Sequence, residues 1–363
     1  MNNKKENKKI LIVNSHISWG GLGQYSISLA DSFTKSKKFD VYGLVTHSNQ
    51  DRFLSFKKAT LKTLCLANKS KIIKYFLAWI YIWRLRPDIL LINYNATVHF
   101  LLPFLPPTKV ISVIHSDDKD YYRIASINSR YVDTWVAPSP KTREGLLNYL
   151  GNMKFAIRIK LIAHGVAGSN EKSNRHINND LFRIIYIGAL YRHKGVDLLP
   201  DIFHKFLEIN PNSKLTIVGD GHLRNIIADD FKKREIYDRN VTFTGIIDTT
   251  SVRSQLANSD VLLFPTRLEG FGLVVTEAMM EGVVPIVSRL SGITDAIITD
   301  SEDGFLAEED NVNNFVEFLS NLYNDRLKLL KMAQNTQLKA KNKYSLNSMI
   351  TSYESLFDYL LNN

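Results

Sequence analysis

The chain has 363 residues, 45% of them hydrophobic and 23% charged, with a formal net charge of +10 at pH 7. These values are typical of a soluble globular protein with room for two domains. The first apolar run, residues 10–15, is too short for a signal peptide or a membrane span, and one cysteine, Cys65, excludes an internal disulfide and a thiolate metal site, so we expect a cytoplasmic protein.

The chain opens with a short apolar run, a glycine loop and a segment of helical spacing. Residues 8–15 are rich in branched residues, Gly20, Gly21 and Gly23 follow, and helical spacing begins at Tyr25. The glycines do not form the G-x-G-x-x-G fingerprint, which disfavours a nicotinamide enzyme. They would still let the backbone approach a phosphate or a sugar closely.

Short apolar runs alternate with helix-length segments along the rest of the chain. The runs lie at 8–15, 40–46, 88–94, 109–116 and 134–139, and then at 182–188, 214–221, 240–245, 260–266 and 283–288. This pattern is typical of parallel sheets covered on both faces by helices, and a polar stretch at 168–180 separates the two series. We therefore predict an α/β protein with two doubly wound domains. The predicted parts are an N-terminal domain 1–168, a linker 169–180, a second domain 181–343 and a C-terminal helix 344–363.

Residues 71–87 combine an apolar run with basic flanks and with tryptophan and tyrosine. The run is too short to span a bilayer. One interpretation is a helix lying in a membrane interface. The other is a helix packed on the sheet, whose cations reach past the apolar surface to water.

Several polar residues follow predicted strands, where ligands bind in open parallel sheets. His115 ends the run 109–116, although a lone histidine is more often structural than catalytic. Arg192 and Lys194 follow the run 182–188 and are suited to a diphosphate, unless they belong only to a solvated basic loop.

The most informative stretch is RLEGFGLVVTEAM, residues 267–279. Glu269 follows a buried strand, glycines then free backbone N–H groups, and a helix from Leu273 would place Glu277 in its early turns. Neither acid has an evident partner for hydrolysis. They are typical of acceptors for hydroxyl groups, unless they are only a loop acid and a solvated helix acid.

The last helical segment carries an apolar stripe that must be buried. Its members recur at helical spacing and are Met349, Tyr353, Leu356, Phe357 and Leu360. The stripe would pack either on the second domain or back on the first.

The sequence resembles the retaining glycosyltransferases of family four, which have the GT-B fold of two Rossmann-like domains facing across a cleft. The resemblance covers nearly the whole chain. Its most specific part is SDVLLFPTRLEGFGLVVTEAMMEGVVPIVS, with Glu269 and Glu277 at the E-x7-E spacing. Supporting pieces are IGALYRHKGVDLL, LTIVGDG, VTFTG, GITDAI and DGFL in the second half, and the glycine loop, RPDILLIN and VIHS in the first.

The resemblance implies a nucleotide-sugar donor and no metal or other cofactor. Lys194 and Arg192 would bind the diphosphate, Glu277 the ribose, and Glu269 the sugar. His115 would face the anomeric carbon, and the terminal helix would cross back to the first domain. The candidate catalytic residues are His115 and Glu269, and the donor-binding candidates are Gly20, Gly21, Arg192, Lys194, Gly245, Phe271, Gly272, Leu273 and Glu277.

Two departures from the family pattern concern the donor phosphates and the hinge. Ala189 occupies the position after the glycine of the IGAL strand, where the family usually has arginine, so Arg192 is a candidate replacement. The usual Pro-Asn-Gly turn before the linker is Ala163-His164-Gly165 here.

Positive charge is concentrated in the first half of the chain. Residues 1–168 hold 25 lysines and arginines against 10 acids, and the remainder holds 21 against 26. This asymmetry indicates a polyanionic partner, unless it only keeps the protein soluble. We expect a glycan acceptor linked to a lipid diphosphate, in bacterial surface polysaccharide synthesis at the inner face of the membrane, and no nucleic acid. The alternatives are an epimerase or phosphorylase of the same fold, or a non-catalytic polyanion binder.

Overall fold

The computed structural model describes residues 7–17, 21–48, 53–151, 153–168 and 181–363. The chain divides into two compact units, the first comprising Met1–Gly165 with Leu346–Asn363 and the second comprising Val166–Ser345. The predicted linker 169–180 and the predicted donor-binding residue Gly20 lie outside the described residues. Among the described helices, none combines the length and the apolar character needed to cross a membrane.

The first unit contains a seven-stranded sheet in which every described pairing is parallel. Its strands are β1 (Lys8–His16), β2 (Phe39–Ser48), β3 (Lys62–Cys65), β4 (Ile89–Asn93), β5 (Lys109–Val113), β6 (Thr134–Ala137) and β7 (Ile159–Leu161). The strand order is β3-β2-β1-β4-β5-β6-β7. The order therefore reverses between β1 and β4, the place where a doubly wound sheet opens a crevice for ligands.

Helices cover both faces of this sheet because its strands are apolar on both sides. They are α1 (Gly21–Ser36), α2 (Phe53–Lys58), α3 (Lys71–Leu85), α4 (Ala96–Leu101), α5 (Lys119–Ser126) and α6 (Pro140–Leu150). One core contains α1 and alternate residues of β1, such as Ile10 and Ile12. The other core contains α3 and the intervening residues Leu11 and Val13. Because successive side chains of a strand point to opposite faces of the sheet, each strand contributes residues to both cores.

The last helix of the chain, which extends over Leu346–Asn362, completes the first core. Its stripe residues Met349, Tyr353 and Phe357 are buried there among side chains of α1. The hydroxyl groups of Tyr353 and Tyr25 are 2.5 Å apart, and the rings of Phe357 and Phe33 lie 5.2 Å apart. The stripe therefore packs on the first unit.

The second unit contains a six-stranded sheet, also parallel in every described pairing. Its strands are β8 (Phe182–Ile187), β9 (Ser213–Val218), β10 (Val241–Gly245), β11 (Val261–Phe264), β12 (Val284–Ser288) and β13 (Phe305–Ala307). The strand order is β10-β9-β8-β11-β12-β13, which reverses between β8 and β11. The two sheets confirm the predicted α/β class with two doubly wound units.

The helices of the second unit alternate with its strands. They are α7 (Leu199–Ile209), α8 (Arg224–Lys233), α9 (Thr249–Ala257), α10 (Leu273–Met280), α11 (Thr294–Ile297), α12 (Val312–Asn324) and α13 (Arg326–Lys343), so the terminal helix of the first unit is α14. Three strands that the sequence analysis does not predict, β3, β7 and β13, lie at sheet edges and have three or four residues each. Strands this short show too few alternations to stand out in a sequence.

A buried histidine links the stability of the first unit to pH. The ring of His99 has Nδ1 3.2 Å from the carbonyl oxygen of Ile127 and Nε2 3.1 Å from Oγ of Ser112. Because a carbonyl only accepts, Nδ1 carries the proton and Nε2 accepts from the Ser112 hydroxyl. Burial lowers the pKa of His99 from 6.5 to about 4, although the hydrogen bond to Ile127 opposes this shift.

We predict that His99 makes the protein less stable as the pH falls from 7 to 4. The unfolded chain protonates this histidine near pH 6.5 and the folded chain near pH 4, so its stabilising effect is complete above pH 6.5 and decreases below it. The loss between pH 7 and pH 5 is about 2 kcal/mol. The free energy of unfolding is measured with denaturant at pH 7 and at pH 5. Between these two values, His99→Gln should lose about 2 kcal/mol less stability than the wild type. An equal loss in both proteins would contradict the assignment.

Candidate functional site

The loops that follow β8 and β11 meet at the reversal point of the second sheet. Gly195, in the loop after β8, has a φ of 67°, and a Cβ placed on it would lie 1.7 Å from the carbonyl oxygen of Pro265, which follows β11. Only glycine tolerates both the left-handed backbone and this close approach. Glycine is therefore required at position 195 for packing, because it allows the two loops to come into contact.

The two loops are joined by an ion pair between two predicted site residues. Lys194 Nζ lies 2.6 Å from Oε1 of Glu269 and 3.2 Å from the carbonyl oxygen of Leu268. The side chains of Lys194 and Glu269 are 21% and 13% exposed, so the pair is largely shielded but still reachable by a ligand. The structure thus brings a predicted phosphate-binding cation and a predicted sugar-binding carboxylate to one point.

Arg267 fixes the geometry around this pair, and the sequence analysis did not single it out. Its guanidinium binds both carboxylate oxygens of Asp197 at 2.8 and 3.0 Å and binds Asp310 at 2.6 Å. It also donates to the carbonyl oxygen of Arg192 at 2.5 Å. The hydrogen bond to Asp197, with a further one to Asp310, raises the pKa of Arg267. These bonds hold the Arg192–Lys194 segment against the loop after β11.

Arg192 and Lys194 lie in a short 3-10 turn, not at the start of an α-helix. The first α-helix after β8 is α7, which begins at Leu199. The side chain of Arg192 is exposed, and within the described part of the chain it forms neither a hydrogen bond nor an ion pair. This guanidinium is available to a ligand, although its position as a replacement for the arginine absent at Ala189 stays a prediction.

Helix α10 begins directly after the glycines that follow Glu269. Gly272 is its N-cap residue with a φ of 92°, and no side chain caps the helix start. The first amides of such a helix point outward along its axis and carry partial positive charge. They are well suited to hold an anionic or hydroxyl oxygen.

The residues of this segment differ in burial, and therefore in which of their atoms can contact a ligand. Leu273 and Glu277 are half-buried and lie one helical turn apart on α10, so they share a face. Phe271 is only 4% exposed, and its ring lies 6.0 Å from that of Tyr344. The Phe271 side chain thus belongs to the core, and only its backbone could meet a ligand.

The ends of β8, β9 and β10 are interlocked through glycines. Gly219 has a φ of 131°, its N–H donates to the carbonyl oxygen of Gly245 at 2.9 Å, and a Cβ on it would lie 2.0 Å from the carbonyl oxygen of Gly188. A Cβ on Gly245 would lie 3.3 Å from an Nη of Arg224, which is paired with Asp220. The predicted donor-binding residue Gly245 therefore lies beside a cation that the sequence analysis missed.

In the first unit, His115 follows β5 and lies next to the end of β4. Its Nε2 is 3.0 Å from Oδ1 of Asn93, and its Nδ1 is 3.3 Å from Nε2 of His164. With Oδ1 as acceptor, Nε2 of His115 carries the proton and Nδ1 accepts from His164, an assignment that follows from the hydrogen bonds. The Tyr25 ring packs edge-on at 4.9 Å from His115.

Burial keeps both histidines neutral. It lowers the pKa of His115 well below 6.5, with a further effect of His164, and it lowers the pKa of His164 to about 3. A neutral His115 can exchange hydrogen bonds with an uncharged sugar hydroxyl, but it does not supply a positive charge. His164 occupies the departure from the usual Pro-Asn-Gly turn, so that departure supplies a partner for the predicted catalytic histidine.

Two buried asparagines at the reversal point of the first sheet also escaped the sequence analysis. Asn14 lies near the end of β1 and is paired in register with Asn93 on β4, and both side chains are fully buried. Within the described residues, the amide nitrogen of each has no hydrogen-bond partner. Asparagine inside an apolar strand is the signal that could have identified them, because a buried amide needs a partner.

Metal ligands are not clustered in the described ranges, where no group of three or more histidine, cysteine, aspartate or glutamate side chains is placed to hold a metal ion.

The candidate site residues fall in two sets, one in each unit. The second unit holds Arg192, Lys194, Gly245, Glu269, Phe271, Gly272, Leu273 and Glu277, and the first unit holds Gly21 and His115. Gly21 is exposed at the first position of α1.

Comparison with known sequences identifies relatives over part of the chain. Residues 169–339 match the sequence model of the family described as glycosyl transferases group 1. The chain is 27% identical over 191 residues to the capsular polysaccharide biosynthesis glycosyltransferase CapM of Staphylococcus aureus, covering 53% of this chain and 50% of CapM. It is 26% identical over 214 residues to an uncharacterised 41.2 kDa protein in the cps region of Klebsiella pneumoniae, covering 55% of each. The chain thus spans about half the length of these curated relatives.

Solved structures resemble the chain over nearly its whole length. HepE of Anabaena, solved in complex with UDP and glucose, superposes with a TM-score of 0.80 at 14% identity, covering 97% of this chain and 100% of HepE. A TarM mutant of S. aureus, solved with fondaparinux, α-GlcNAc-glycerol and UDP, superposes with a TM-score of 0.78 at 14% identity, covering 96% of this chain and 99% of TarM.

Two doubly wound parallel sheets and these superpositions define a protein of the GT-B fold class. Within this class, residues 169–339 are similar to the glycosyl transferases group 1 family, whose sequence model they match. The predicted fold and the predicted relationship to group 1 glycosyl transferases are confirmed. Membership of family four in particular, and the individual roles of the site residues, stay predictions.

We predict that Gly195→Ala destabilises the second unit by about 3 kcal/mol or more, because the methyl group must displace the loop after β11. The matched control is Gly151→Ala in the first unit, where φ is 62° and a Cβ would meet no atom within 4 Å. Gly151→Ala should lower the free energy of unfolding only by the strain of an alanine at positive φ, about 1 kcal/mol. Chemical denaturation of both variants measures the difference, and equal destabilisation would show that the contact with Pro265 is unimportant.

Proposed function

We propose that this protein is a glycosyltransferase that moves a sugar from a nucleotide-sugar donor to a glycan acceptor during synthesis of a bacterial surface polysaccharide. The observation that carries the proposal is the shielded pair of Lys194 and Glu269, at the sheet reversal and beside the open start of α10. CapM, a capsular polysaccharide glycosyltransferase by name, and HepE, solved with UDP and glucose, support the same reaction class.

The leaving nucleoside diphosphate is stabilised by fixed positive charge. As the bond from the anomeric carbon to the phosphate oxygen breaks, negative charge develops on the diphosphate, and Lys194, Arg192 and the first amides of α10 are the donors nearest to that charge. Removing one such preorganised contact raises the barrier by roughly 3 kcal/mol. The Lys194 ammonium binds Glu269, so a donor diphosphate at this point gives Lys194 a second anionic partner.

The two glutamates select the donor by accepting hydrogen bonds from hydroxyl groups. Glu277 takes the two ribose hydroxyls and Glu269 takes a sugar hydroxyl, while the backbone of Phe271 and Gly272 lines the sugar. Because an unpaired buried carboxylate is costly, a donor that lacks the matching hydroxyl binds less well. Gly245, with Arg224 beside it, lines the pocket of the nucleobase.

His115 and Gly21 contribute from the first unit. Both ring nitrogens of the neutral His115 are engaged, by Asn93 and by His164. The hydrogen bond near the anomeric carbon that the resemblance assigns to His115 therefore requires it to exchange one of these partners, and the resemblance assigns to Gly21 a close approach of the backbone to the phosphates. Retention of configuration follows if the acceptor attacks the face from which the diphosphate leaves. The resemblance to retaining enzymes supports this stereochemistry.

The acceptor is a glycan linked to a lipid diphosphate, and the reaction takes place at the cytoplasmic face of the membrane. The excess of 15 positive charges in residues 1–168 supports an anionic acceptor or membrane surface for the first unit.

We predict that isothermal titration calorimetry detects binding of a nucleotide-sugar among UDP-, GDP- and dTDP-sugars, and that Glu277→Ala weakens this binding roughly tenfold through loss of a charge-assisted hydrogen bond. The control is Glu309→Ala, an exposed glutamate of the same unit outside the site, which should bind as the wild type does. Absence of heat with every donor would contradict the proposed function. Wild-type affinity of the Glu277 variant would contradict only the ribose assignment.

We predict that His115→Ala lowers turnover more than donor affinity, because the histidine acts next to the bond that breaks. Release of nucleotide should depend on the acceptor, so kcat is measured with a lipid-linked glycan and donor affinity by calorimetry, and the folded state is checked by thermal unfolding. A variant with normal kcat would contradict the role of His115. Conversion of the donor without any acceptor would indicate an epimerase instead.

A further inference from the structure

Helix α3 of the first unit has two apolar faces, of which only one is used by the core. Its inner face packs Ala78 and Ile82 into the second core of the sheet, with Leu77, Tyr81 and Leu85 beside them. A helix needs one such face to pack on a sheet. Its other apolar residues therefore need a different explanation.

The outer stripe of α3 consists of Ile72, Phe76, Trp79 and Trp83. These residues recur at i, i+4, i+7 and i+11, so at 100° per residue they project within about 60° of one another. Ile72 is 83% exposed, Phe76 59% and Trp83 38%. The stripe extends about 16 Å along the helix.

The segment after α4 enlarges the stripe into a patch. The indole N–H groups of Trp79 and Trp83 both donate to the carbonyl oxygen of Phe104, at 2.9 and 2.8 Å. These bonds satisfy the polar atoms of both indoles and hold Phe104 against the helix, with its side chain 65% exposed. Phe100, 50% exposed, lies 6.4 Å from the ring of Tyr75. The surface of a soluble protein seldom exposes so many neighbouring large apolar side chains unless a partner binds there.

The sequence segment that contains α3 carries charge of one sign. Residues 53–87 contain eight lysines and arginines and no acid. Exposed cations stand at both ends of the stripe, Lys69 and Lys71 before it and Arg84 and Arg86 after it. The one acid between residues 53 and 116, Asp88, is paired with Lys8 at 2.9 Å. An apolar protein partner would not require this arrangement, whereas an anionic surface does.

We propose that the outer stripe of α3, together with Phe104, docks on the surface of an anionic lipid bilayer. The helix lies parallel to the membrane plane, the aromatic and aliphatic side chains enter the boundary between headgroups and acyl chains, and the flanking cations bind lipid phosphates. The inference deepens the proposed function, because it names the surface that brings a lipid-linked acceptor to the enzyme. It is tested without donor or acceptor, so its failure is distinct from failure of the transferase proposal.

The test is flotation of the full-length protein with vesicles of phosphatidylcholine containing phosphatidylglycerol, and with vesicles of phosphatidylcholine alone. We expect flotation with the anionic vesicles and little with the neutral ones. Flotation should decrease as salt rises from 0.1 to 1 M, where the screening length falls from about 10 to about 3 Å. Absence of flotation, or equal flotation with both vesicles, would overturn the proposal and leave the patch to a protein partner.

Two matched triple variants locate the surface. Ile72→Ser, Phe76→Ser and Phe104→Ser remove side chains that are 83%, 59% and 65% exposed, and they should reduce flotation roughly tenfold or more. Leu327→Ser, Leu338→Ser and Ile226→Ser remove side chains of the second unit that are 79%, 62% and 65% exposed, and they should leave flotation unchanged. Equal effects of the two triples would overturn the assignment.

A spectroscopic readout covers the case in which the first triple variant folds poorly. Trp79 and Trp83 lie in the stripe, so tryptophan fluorescence of the wild type should shift to the blue on addition of anionic vesicles and should be quenched by brominated lipid. The conservative variant Trp79→Phe with Trp83→Phe should keep flotation and lose most of the quenching. Unchanged quenching in that variant would place the contact elsewhere and overturn the proposal.

Discussion

The candidate donor site depends on the contact between the loops after β8 and β11. Gly195 lets the first loop pass against the carbonyl of Pro265, and Arg267 joins the Arg192–Lys194 turn to Asp197. Only with the loops in this register does Lys194 reach Glu269 at 2.6 Å. The position of the cation is thus set by backbone packing and by a separate ion pair, so the Lys194 ammonium itself can exchange partners with the proposed diphosphate.

The parts of the site that the sequence predicted are those encoded locally. A strand followed by glycines and a glutamate, as in residues 260–272, indicates a ligand loop at a sheet edge, and α10 begins at Leu273 as predicted. The pairing of Lys194 with Glu269 joins residues 75 positions apart, and local pattern gives no distance for it. The role of Arg267 has no local signal either, because its partners Asp197 and Asp310 lie 70 and 43 positions away.

The first unit shows the same division. The apolar runs that alternate with helix-length segments predicted the sheet. The apolar stripe of α14 predicted that this helix is buried, but not against what, because the partner of Tyr353, Tyr25, lies 328 residues earlier. His164 appeared only as a departure from a family turn, and its bond to His115 could not be read from the sequence. The two faces of α3 fit both interpretations of residues 71–87, since one face packs and the other is exposed.

The return of α14 has a consequence for biosynthesis. The core that holds Ile10, Phe33 and Phe357 combines β1 and α1 with the distant α14, so until α14 has been translated the sheet face that α1 packs on is only partly covered. The second unit, contiguous in the chain, can fold before the first is finished. The residues of β1 and α1 therefore reach their full native packing only after the second unit has been translated.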